Sequence, residues 1–73
     1  TKSADKKVKA GAWYNKGNAA AKLGRLDDAA EAFKEALSFD PDDKEAKENL
    51  DAVIKQKQKK DEQQKQENQD SKD

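Results

Sequence analysis

A chain of 73 residues with no Cys and no His forms at most one small domain, and it excludes disulfides, thiol or imidazole catalysis and nearly all zinc chemistry. With 44% charged and 32% hydrophobic residues, the core is too modest for a deep active site. The net charge of zero divides into a basic block over 1–26, an acidic block over 27–51 and a near-neutral block over 52–73, which disfavours nucleic acid because phosphate contacts need a concentrated basic surface.

Residues 1–7 are polar, and their lysines oppose the dipole of a helix start. They are expected to be disordered, with a first helix beginning near Val8. From there to Leu23 the chain is rich in Ala, and Val8, Ala12 or Trp13, Ala20 and Leu23 recur at helical spacing. Gly24 suits the left-handed stop after a helix. Asp27 is the expected N-cap of a second helix, with Asp28 and Glu31 in its first turn and Ala29, Ala32 or Phe33, Ala36 and Leu37 as its buried stripe. Phe39-Asp40-Pro41 ends it, since the residue before proline avoids helical angles.

A third helix is expected from Asp42, with Glu45 returning the bond of a capping box and Ala46, Leu50, Val53 and Ile54 on one face. After Ile54 no apolar residue occurs. The Lys/Gln-rich stretch cannot offset the entropy of ordering it, so a frayed extension to about residue 60 and a disordered tail over 61–73 are expected. A lone charged helix is the alternative there, since Lys, Gln and Glu form helices well. No stretch alternates like a strand, so the fold class is all-α: three helices, with 8–60 as the folded unit.

Trp13, Gly17, Ala29, Phe33, Ala36 and Pro41 fall in one register, and over 10–43 the chain resembles the tetratricopeptide repeat (TPR) family. The resemblance implies one helical hairpin followed by a C-terminal capping helix. Small Gly17 and Ala29 would let the two helices approach, with Phe33 and Trp13 supplying bulk. Two positions depart from the family pattern. Lys16 replaces a Leu and is expected to pack its stem while its ammonium reaches water. Ala20 replaces a Tyr and is expected to leave the hairpin under-packed.

In that family the first helices of successive repeats line a concave groove for a peptide or helix. The resemblance therefore implies a short groove lined by Tyr14, Asn18 and Lys22 on the first helix and by Glu45, Glu48, Asn49 and Ala52 on the third. Asn suits a peptide backbone because its side chain both donates and accepts. Asn18 and Asn49 match two positions of the carboxylate-clamp type, but Tyr14 stands where that clamp has Lys, and its later cations are absent. The implied function is a protein–protein interaction module, with a protein or peptide partner. Self-association of the parent as a homo-oligomer is the alternative.

No enzyme activity, cofactor or metal is expected. Asp40-Pro41-Asp42-Asp43-Lys44-Glu45 lacks the Gly of a calcium loop and puts Lys44 at a ligand position. Gly11, Gly17 and Gly24 are too widely spaced for a phosphate loop. No run is apolar enough to enter a membrane. The opening Thr1-Lys2-Ser3, without Met, is expected of a piece of a longer protein. A single repeat running into a Lys/Gln-rich tail also resembles the C-terminal part of bacterial Bat-type proteins, which join a von Willebrand A domain to TPRs. That resemblance implies a membrane-associated parent, with this piece in periplasm or cytoplasm.

Overall fold

A threonine hydroxyl begins the first helix. In the computed structural model, which describes the backbone of residues 1–70 and the side chains of residues 1–63, Thr1 Oγ1 accepts the Ala4 N–H at 3.2 Å and caps α1 (Lys2–Lys22). This corrects the expected start near Val8 and the disordered 1–7. The cap and Asp5 in the first turn act where the lysines alone were weighed.

The stop of α1 is a Schellman closure. Arg25 N–H donates to the Ala20 carbonyl at 2.9 Å and Gly24 N–H to that of Ala21 at 3.1 Å, with Gly24 at φ +78°. A side chain at 24 would be strained there. The closure sends the chain straight back into α2 (Leu26–Phe39), so Leu26 is already helical and buried. Position 25, with no side-chain cap bond, is therefore the N-cap, not Asp27 as expected. Asp27 and Asp28 still lie in the first turn, where the dipole favours acids.

After Phe39, the turn at 40–43 leads into α3 (Lys44–Asp70). Its cap is Asp43, whose Oδ1 accepts the Ala46 N–H at 3.2 Å, so the expected Asp42–Glu45 capping box does not form. The helix runs well beyond residue 60, correcting the expected disorder over 61–70; residues 71–73 of that expected tail lie outside the described residues. Good intrinsic helix formers propagate an existing helix without an apolar face. None of the helices is long and apolar enough to cross a membrane among the described residues.

Helix α2 packs on both of the other two, α1 and α3. Phe33 is its centre. It is 1% exposed and sits among Ala20, Leu26, Ala29 and Val53, with Tyr14 and Leu50 at the margin. Burying such a ring contributes about 1.5–3 kcal/mol. Gly17 of α1 faces the ring so closely that a Cβ there would stand 2.6 Å from Phe33 Cε1. The Gly17–Phe33 approach thus locks the hairpin, as the spacing implied. Trp13 is only half-buried, at the margin, and Lys16 holds its ammonium 4.8 Å from the indole centroid, a cation–π contact.

Across the outer side, Lys57 Nζ pairs with Asp27 Oδ1 at 2.5 Å, tying α3 to the first turn of α2. The hydrogen bond to Asp27, then its charge, raises the Lys57 pKa above the usual lysine value. The pair therefore contributes fully below that usual value, and its contribution is lost as pH rises through the raised one. Both groups are well exposed, so the contribution is small.

Candidate protein-binding groove

Two successive hairpin turns make α1 and α3 run parallel, side by side across one face of α2. The face of α1 that steps through Tyr14, Asn18 and Lys22 then looks toward the face of α3 that steps through Glu45, Asn49 and Ala52.

Three of the seven residues that the resemblance implies for the groove meet there. Asn49 Nδ2 donates to the Tyr14 hydroxyl at 3.1 Å and to Asn18 Oδ1 at 3.1 Å. All three side chains are half-buried. The Tyr14 ring is held from below by Phe33, at 5.8 Å between centroids and 55° between planes. The bridge is therefore rooted in the core, and it ties α1 to α3 directly.

An amide nitrogen carries two hydrogens, and the two bonds use both. Asn49 Oδ1, the two amide hydrogens of Asn18 and the Tyr14 hydroxyl hydrogen remain for water or another molecule. A peptide unit presents one acceptor and one donor, which this array can meet together.

Lys22, Glu45 and Glu48 do not join the bridge. They are exposed and form no ion pair among the described residues. The same face of α3 also continues past the bridge, farther than the sequence suggested. Gln56, Lys59, Lys60 and Gln63 line a hollow with Ala21 and Leu26 where α3 passes the α1–α2 turn. Stepping three and four residues on from Asn49 along a longer α3 would have found them.

On the opposite edge of the hairpin, an open cleft of about 380 Å³ is lined by Trp13, Lys16, Ala19, Ala20, Leu23 and Ala32. It opens beside the small residue at 20, where the sequence led us to expect thin packing. Val8 is 73% and Leu23 71% exposed, so these two members of the expected α1 stripe face outward. Ala20 is buried as expected, and Ala10 and Gly17 join it. In an Ala-rich helix two stripes carry nearly equal hydropathy, and spacing alone does not separate them.

Residues 10–43 match the family model of the tetratricopeptide repeat. That stretch covers most of α1, all of α2 and the turn after it, and has the helix–turn–helix course of one repeat. The molecule is thus an all-α, TPR-like hairpin with a further helix. The match ends at residue 43, so the Bat-type resemblance, carried by the tail, gains nothing from it. No curated protein and no solved structure matches the chain significantly.

Proposed function

We propose that this chain is a protein-interaction module that takes an extended segment of a partner protein in the groove between α1 and α3. The repeat that it resembles is non-catalytic and serves protein–protein contact. The observation that carries the reading is the Tyr14–Asn49–Asn18 bridge. It places donors and an acceptor, rooted in the core, at the floor of the groove. Lys22, Glu45 and Glu48 on the rims would meet the segment's side chains.

One repeat and one further helix offer less area than the roughly 1,200–2,000 Å² of a standard interface, so binding of a single peptide is weak. A per-residue titration of the labelled chain with a peptide panel tests the reading. Shifts should gather at Tyr14, Asn18, Lys22 and Glu48, and Asn49→Ala should weaken binding about tenfold, the loss of roughly 1.4 kcal/mol. A thermal melt of the same variant separates lost recognition from lost stability. Shifts confined to Glu31, Lys34 and Glu35 on α2 would refute the groove.

A specific observation favours a second reading, self-association. The Trp13–Leu23 cleft is apolar at its floor, with Lys16 and Arg25 on the α1 side and Asp28 and Glu31 on the α2 side. A two-fold axis parallel to the helices would lay the cationic side of each copy over the anionic side of the other. Light scattering should then show the mean mass rising toward twice the chain mass with concentration, and Leu23→Glu should hold it at one. A parent chain that stays at monomer mass at millimolar concentration sinks this reading.

A further inference from the structure

The groove carries opposite charge at its two ends. Its floor is neutral at the Tyr14–Asn49–Asn18 bridge. Toward the start of α3 the same face presents Glu45 and Glu48, both exposed. Toward the far end it presents Gln56, Lys59, Lys60 and Gln63, and there the last turn of α1 adds Lys22.

Two opposite charges neighbour the ends, Lys44 one and four positions before Glu45 and Glu48, and Glu62 three positions after Lys59; each reduces its end by one charge without reversing the order. Lys57 is engaged with Asp27 on the outer side of α3, and Asp61 lines that same outer cleft. Lys7 lies two turns below Tyr14 on α1, beneath the level of Glu45. Glu45 and Lys60 are 15 positions apart on one helix. At ~1.5 Å per residue that is about 22 Å, the span of roughly seven residues of extended chain.

We infer that the groove takes a short extended segment that is basic at one end and acidic at the other. Its acidic end sits against Lys22, Lys59 and Lys60, and its basic end against Glu45 and Glu48. The inference rests on the groove reading above and adds the chemistry and orientation of the occupant. Charge pairs on a rim contribute little each, so the order selects among partners more than it tightens binding.

The test compares two probe peptides of about seven residues, matched to that span. Both contain the same lysines, aspartates and neutral residues. In one the lysines and aspartates occupy opposite ends; in the other they alternate. The full chain should bind the end-separated peptide several-fold more tightly at low salt, and the gap should narrow as salt screens the rims. A spin label at the acidic end of that peptide should broaden the amides of Ala21, Gln56 and Lys59. A label at the basic end should broaden those of Glu45 and Glu48. The double variant Lys59→Gln/Lys60→Gln should remove the preference by weakening the end-separated peptide more than the alternating one. Equal binding of both peptides, or broadening at the wrong end, overturns the inference and leaves the groove standing. If neither peptide binds, both fall together.

Discussion

Phe33→Ala is expected to unfold the hairpin at room temperature. The ring is the largest fully buried side chain, and it touches all three helices through Gly17, Tyr14, Ala29 and Val53. Phe-to-Ala truncation in a core costs about 3–5 kcal/mol. A domain below ~70–80 residues seldom holds more than ~3–5 kcal/mol in its core. The two magnitudes are equal, so no reserve remains. Circular dichroism should lose most of its helical signal, and the thermal transition should lose its cooperativity. A cooperative melt within about 5 °C of the parent would mean the ring is not the keystone, since that shift corresponds to only ~1 kcal/mol in a chain this short.

The second large effect comes from adding a single methyl group. In Gly17→Ala the new Cβ would stand 2.6, 2.7 and 2.9 Å from three carbons of the Phe33 ring. The ring cannot swing aside, because it is enclosed. Such overpacking costs about 1–3 kcal/mol. Ala gains up to ~1 kcal/mol over Gly in helix propensity, which leaves a net cost of up to ~2 kcal/mol. The melting midpoint should fall, by up to roughly 15 °C. Gly11→Ala is the matched control, since nothing lies within 4 Å of a Cβ there. It should gain about 0.5–1 kcal/mol and melt a few degrees higher. If both variants melt higher, the close approach of α1 and α2 is not real.

Much of the fold can be read from particular residues. Gly24 marked the first turn, because only a left-handed residue closes the helix there. The Asp40-Pro41 step marked the second. Gly17, Ala29, Phe33 and Ala36 announced the packed seam by their sizes and register. Helix ends were harder, because a cap is one hydrogen bond and several acids competed for it. Asp43 prevailed over Asp42, and a backbone closure displaced Asp27. The long α3 stood only as the alternative in the sequence, because apolar content measures docking, not helicity. The bridge from Asn49 to Tyr14 joins residues 35 apart, and the resemblance put both on the groove without indicating that they bond to each other. Only the side-by-side placement of α1 and α3 brings them together. Lys22, Glu45 and Glu48 were chosen by family likeness, and their place in binding stands as a proposal.

The reach of α3 past the hairpin has a hydrodynamic consequence. The molecule measures 62 × 19 × 13 Å, and its radius of gyration is 15.5 Å. A compact chain of this length would have a radius near 11 Å. A sizing column sorts by Stokes radius, so a lone molecule should elute ahead of compact standards of equal mass. It would pass for a dimer, and its rotational diffusion should be strongly anisotropic.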